Sequence, residues 1–229
     1  MHDSLEGVQR EWAARVVAEY RSAALSAEYL HWLIRLGLSP DTLEDCHRTV
    51  AEELRHAELA REVYLAAGGS AAPNALEESS LRFGARDDLP LLLQAASVCA
   101  RMFCCGETVA LPLFQAMRAN AQHPLVQTTL DEIIRDEAKH RAFGWSTLEE
   151  LLERDPAGLR ATLRPRIQGY TQELLRGYRK LSPTSALEKS WGLLQAEQYA
   201  EITQQCVETQ ILPRFERLFG PLEAPQGEL

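Results

Sequence analysis

The sequence predicts an all-α fold, a four-helix bundle with additional C-terminal helices, and three observations carry that reading. Apolar residues recur at spacings of three and four, and the period-two alternation of a strand is absent. Gly, Pro and capping residues punctuate the chain only at long intervals, which leaves room for six long helices. A connection of about twenty residues separates two similar hairpins, as a crossover between helix pairs requires and a short antiparallel turn does not.

Each helix has a physical start or stop. The first is expected over Leu5 to Leu36. Ser39 and Pro40 then supply an N-cap and a proline at the first helical position of the second, which runs to about Ala67 and ends at Gly68 and Gly69. After a loop over residues 68–88, a third helix spans roughly Asp88 to Ala119. A break at Asn120 to Pro124 leads into a fourth that ends near Arg154. Asp155 and Pro156 open a fifth, Ser182, Pro183 and Thr184 a sixth, and Pro213 interrupts the last before an amphipathic end at Phe219. The tail after Gly220 is expected to fray.

With 229 residues, 45% of them hydrophobic, the chain is long enough for one large domain over residues 1–229. Its core bundle covers residues 5–154 and its accessory helices 156–219. A net charge of -9 disfavours nucleic acid as a partner, because phosphate binding needs clustered cations. No basic start followed by an apolar core marks a signal peptide, and no apolar run approaches the roughly 20 residues of a membrane helix, so no membrane partner and a cytoplasmic location are expected. The five cysteines, Cys46, Cys99, Cys104, Cys105 and Cys206, are odd in number and contain no CxxC pair. They read as buried reduced thiols, with neither a disulfide framework nor a zinc or rubredoxin-type site.

Two four-residue runs carry the chemistry: Glu53-Leu54-Arg55-His56 and Glu137-Ala138-Lys139-His140. Glu and His three apart share a helix face, so each pair can aim a carboxylate oxygen and an imidazole nitrogen at one metal ion. A single such pair is usually a solvated surface pair. Two of them, each preceded by a helix with one well-placed Glu, form the inward-facing ligand pattern of carboxylate-bridged di-iron bundles.

The partner glutamates follow from level and burial. In an antiparallel hairpin, residues at equal depth share a midpoint in the turn. Glu28 and Glu53 have theirs between Pro40 and Asp41, and Glu107 and Glu137 have theirs at Gln122. The rival Glu19 lies nine residues deeper than Glu28, an offset of roughly 13 Å, which counts against it. Ala23 to Leu36 is apolar nearly all round, and Glu107 is the sole ionisable carboxylate from Met102 to Phe114. A carboxylate in such surroundings needs a counter-charge, which a metal ion supplies.

The expected ligands are therefore Glu28, Glu53, His56, Glu107, Glu137 and His140. Four carboxylates and two imidazoles suit two hard octahedral ions, iron or a manganese and iron pair, better than tetrahedral zinc. Glu52 and Asp136 are expected to accept hydrogen bonds from the ligand imidazoles across the bundle, fixing their tautomers. His31 is read as a pocket or supporting residue. Tyr29, Trp32, Cys104, Cys105 and Thr108 are placed to line the site, although aromatic and thiol residues at helical spacing are more often core. His47 and His123 are not expected to ligate, nor is His2. Gly106 and Pro112 beside Glu107 make a kink or π-bulge plausible there.

The order Glu28, Glu53-x-x-His56, Glu107, Glu137-x-x-His140 resembles the ferritin-like superfamily of di-iron carboxylate proteins over Leu5 to Arg154. The runs 52–56 and 136–140 look like the paired motifs of acyl-carrier-protein desaturases and ribonucleotide reductase small subunits. Length and spacing are similar to those of aldehyde-deformylating oxygenases, including Gly144 four residues after His140. Di-iron N-oxygenases with a third His carry it where this chain has Ile133 and Thr129, a departure from them.

The resemblance implies a ferritin-like bundle with a dinuclear iron centre. Glu53 and Glu137 would bridge, Glu28 and Glu107 would be terminal, and His56 and His140 would complete one iron each. It implies O2 as co-substrate, a ferredoxin or reductase as electron donor, and compatibility with a homodimer. The leading functional expectation is an oxygenase acting on a small, mainly apolar metabolite. An iron-handling ferroxidase or peroxide scavenger stands second, and a helical interaction protein that keeps the ligands as a legacy stands third.

Overall fold

The computed structural model describes residues 4–70, 76–84, 88–177 and 184–222, and every regular element among them is helical. The first hairpin pairs α1 (Glu6–Leu36) with α2 (Pro40–Ala66). Gly37 takes the left-handed conformation, φ 67°, and closes α1 at once, since a glycine meets no Cβ clash there. Ser39 caps α2 by accepting from the Thr42 N–H, and Pro40 follows it with its φ preset for the helix. Glu150 accepts from both the N–H and the hydroxyl of Ser39, so the start of α2 is tied to α5 (Pro124–Arg154).

Among its described residues the crossover contains a short 3₁₀ turn, Glu78–Leu81. Pro90 is extended, ψ 138°, and the third long helix therefore opens after it, three residues later than expected. This helix is regular over α3 (Leu91–Val98) and α4 (Thr108–Asn120) and π-helical between them, Cys99–Glu107. Two features accommodate the wide π turns. A Cβ at Gly144 would lie 2.7 Å from the Phe103 carbonyl carbon, so only glycine lets α5 approach this closely. The thiols of Cys99 and Cys104 also donate to the Gly144 carbonyl, at 3.2 and 3.3 Å. Farther along, Pro112 offers no N–H to the Thr108 carbonyl one turn earlier, and the Cys206 thiol donates to it instead at 3.4 Å.

The C-terminal part comprises α6 (Pro156–Leu163), capped by Asp155 on the Gly158 N–H, and α7 (Ile167–Gly177). It continues through α8 (Ala186–Ser190), α9 (Ala196–Cys206) and α10 (Leu212–Phe219), with a second π segment at Val207–Ile211. Ser182, Pro183 and His2 lie outside the described residues, as does the tail beyond Leu222; α8 is capped by Ser185 and Glu188 instead. One apolar core runs from Val8 to Phe219, and all five cysteines are free and buried within it. Burial pushes the thiols of Cys46, Cys104, Cys105 and Cys206 up, the last to about 11, so they stay protonated near neutral pH.

One correction concerns apolar length. Leu91–Asn120 is long and apolar enough to cross a membrane, but 61% of its most apolar window is buried inside the protein, as in a core helix.

Candidate metal centre

Six side chains from four segments converge in the middle of the bundle. Glu19 comes from α1, Glu53 and His56 from α2, Glu107 from the end of the π segment, and Glu137 and His140 from α5. All six are buried. They fall into two overlapping groups, Glu19, Glu53, His56, Glu137 and Glu53, Glu107, Glu137, His140. Within each group the ligand atoms lie within 4.8 Å of one another, so each could hold a metal ion.

The imidazoles are held with one nitrogen outward and one inward. His56 Nε2 lies 3.4 Å from Asp136, and His140 Nε2 lies 3.0 Å from Glu52. Each acid belongs to the helix opposite its histidine, and Lys139 bridges the two acids at 2.7 and 2.8 Å. A carboxylate on Nε2 makes it the protonated nitrogen of the neutral ring and leaves the Nδ1 lone pair facing the centre.

Both Nδ1 atoms, together with Glu53 Oε2 and Glu137 Oε2, are buried without a hydrogen-bond partner. Buried polar atoms are rarely left so. His56 Nδ1 stands 3.8 Å from both Glu53 and Glu137, and His140 Nδ1 stands 3.4 and 3.6 Å from the same two carboxylates. Donors on one ion at about 2.1 Å sit roughly 3 Å apart, so a small inward movement would satisfy all of them.

Burial and mutual charge shift the ionisable groups of the cluster. Burial and the nearby Glu53 carboxylate raise Glu19 well above the ordinary carboxyl range; burial, Glu137 and Glu53 do the same to Glu107. Burial alone would lower both imidazoles, yet the surrounding carboxylates outweigh it. Glu53, Glu19 and Glu137 push His56 up to about 9, and Glu137, Glu53 and Glu107 push His140 to about 10. Glu53 moves down against its burial because both imidazoles face it. Asp136, likewise against burial, is held down by Lys139 and His56.

Glu28 is not in the cluster, and its place is taken by Glu19. Nine residues are about two and a half helical turns, so the two glutamates face opposite sides of α1. Glu19 continues the buried stripe of Trp12, Val16, Ala23 and Ser26, whereas Glu28 accepts from the Phe83 N–H at 2.9 Å on the crossover side. Depth misled because the Gly37 turn is tight. Cys46 meets Ser26 and Gln9 meets Ala67, pairs with midpoints at Leu36 and Leu38, which centres the hairpin near Gly37 rather than beyond Pro40. Glu53 then lies closer in depth to Glu19 than to Glu28, and helix face selects Glu19 as well. Arg15, 4.0 Å from Glu19, was also missed.

His31 is exposed and touches neither pocket nor centre. Tyr29 donates to the Ala95 carbonyl and stacks on Phe103, Cys104 bonds to Gly144, and Thr108 accepts from the Trp145 indole; all three are core. Cys105 is likewise buried in the core. Trp32 does line an opening, a cleft of about 900 Å³ whose wall includes Gly106 and Glu107. His47 is exposed and His123 stacks on Trp191, both away from the centre.

No protein-family model matches the sequence, and no curated protein or solved structure does either. The site's own geometry must carry the functional reading.

Proposed function

We propose that the chain is a ferritin-like, non-haem di-iron oxidoreductase that activates O2, acting as an oxygenase on a small organic molecule. One observation carries the reading: two imidazoles with outward nitrogens held by acids turn unpartnered inner nitrogens toward the same two unsatisfied carboxylates. A shared pair of carboxylates between two nitrogen donors is the donor set of a dinuclear site, and its oxygen-rich character suits iron.

Two irons bound there would supply the reduction of O2, with electrons from a donor protein. Glu53 and Glu137, common to both ligand groups, would be shared by the two ions, with Glu19 and His56 holding one and Glu107 and His140 the other. Glu52 and Asp136 orient the rings, so little reorganisation accompanies loading. Glu107, at the cleft wall, must give up its carboxyl proton on loading.

Oxygen uptake by the anaerobically reduced, iron-loaded protein tests the reading. Rapid consumption of O2, accelerated by a bound substrate, is expected. Accumulation of a ferric mineral in a large assembly would favour the iron-handling alternative, and no O2 uptake would reject both.

A further inference from the structure

We infer that the cleft ending at Glu107 binds an organic anion, with a carboxylate or phosphate head among arginines at the mouth and an apolar body reaching toward the metal centre. The inference deepens the oxygenase reading and rests on it only for the fate of the bound molecule. The cleft, about 900 Å³, lies between α1, the crossover, the π segment and α7, and is large enough for a metabolite.

Arg21, Arg82, Arg101 and Arg166 all line it, although the chain as a whole carries net charge -9. Among the described residues the acids on its wall are Glu107 at the inner end and Glu173, which faces Arg101 at 3.7 Å. Arg82 is paired with Glu78 at 2.6 Å, whereas Arg21 and Arg166 make no ion pair with any described residue. These cations come from four separate segments yet share one opening. Guanidinium groups grip planar carboxylates and phosphates with paired N–H bonds, so a single anionic head suits the mouth. The acidic remainder of the chain disfavours a long polyanion.

Inward the wall turns apolar, with Leu25, Trp32, Phe83, Met102 and Leu174. Glu28 fixes part of it by holding the Phe83 backbone, and the Trp32 and Phe83 rings lie 5.1 Å apart. At the inner end a Cβ on Gly106 would meet nothing within 4 Å, so the chain leaves open space directly beside Glu107. A head at the arginines thus places the body, not the charge, next to the metal ligands.

Calorimetric titration of the metal-free full-length chain with octanoate, octyl phosphate and neutral octanol tests the inference. At low salt at least one anion is expected to bind tenfold or more tighter than octanol, and comparison of the two anions identifies the head group. The double variant Arg21→Gln, Arg166→Gln is expected to lose that preference while leaving octanol binding unchanged. Gly106→Leu, which fills open space, should weaken all three ligands, with a thermal melt showing that it remains folded. Octanol binding as tightly as both anions, an anion preference that survives the double variant, or no anion binding at millimolar concentration would overturn the inference. Anion binding without O2 uptake after iron loading would retain the inference and reject the oxygenase. O2 uptake without anion preference would do the reverse.

Discussion

The two halves of the candidate centre offer equivalent ligands from unlike scaffolds. On the α1–α2 side, Glu19 sits on an unbroken helix and faces Arg15, within the buried stripe of Trp12 and Val16. On the other side, Glu107 ends a nine-residue π segment that depends on Gly144 and two thiols, and it reaches the wall of the cleft. Regular helix holds a ligand in place; distorted helix opens space beside one. On the proposed reading both glutamates would hold metal, and the Glu107 position alone would also face a substrate in the cleft.

The sharpest way to break the comparison is to remove what the halves share. Glu137→Ala takes a carboxylate from both groups and is expected to abolish binding of both metals, whereas Glu107→Ala and His140→Ala each lose at least one. Metal analysis after anaerobic loading reads the difference, and unchanged stoichiometry would refute the assignment. Glu19→Ala should also lose a metal. Glu28→Ala should retain both and cost only about 1 kcal/mol for the lost hydrogen bond to Phe83.

The acids behind the rings come next. Glu52→Gln and Asp136→Asn are each expected to weaken metal affinity by about 10- to 100-fold without changing stoichiometry, measured by competition with a chelator. Gly144→Ala probes the distorted half alone. The new Cβ would press on Phe103, a cost of about 1–3 kcal/mol by overpacking, and should weaken the Glu107 position more than the Glu19 position.

A smaller, graded effect is expected from pH. In the metal-free protein His56 and His140 hold protons up to about 9 and 10, against an ordinary value of 6.5. Their stabilising effect is complete below that ordinary value and is lost as pH rises through 9 to 10. Glu19 and Glu107, also raised, act in the same direction from 4.5 upward. Glu53 and Asp136, held down, contribute above their ordinary range and lose that contribution only in acid. The metal-free melting temperature is thus expected to fall between pH 6 and 10. Metal affinity should rise over the same interval, because loading displaces these protons. A melting temperature that rises with pH would contradict the charge assignment.

Much of the fold was legible because its punctuation is local. Ser39-Pro40, Pro124 and Asp155-Pro156 set helix starts by their own backbone chemistry. The two Glu-x-x-His runs and their preceding acids were legible for the same reason, since three-residue spacing fixes a helix face. The Glu19 position was not, because choosing it from Glu28 requires knowing how tight the Gly37 turn is and which face of α1 meets α2. The stripe Trp12, Val16, Glu19, Ala23 held that signal. The exposure of His31 and the gathering of four arginines at one cleft depend on how distant segments pack, which no local spacing encodes.

The central claim is that Glu19, Glu53, His56, Glu107, Glu137 and His140 together form a dinuclear site. Anaerobic calorimetric titration of Fe(II) into the metal-free chain, with the bound iron then counted, tests it most directly. Two irons per chain are expected for the native protein and fewer for Glu19→Ala. A native chain that takes up no iron, or a Glu19→Ala variant that still binds two, would contradict it.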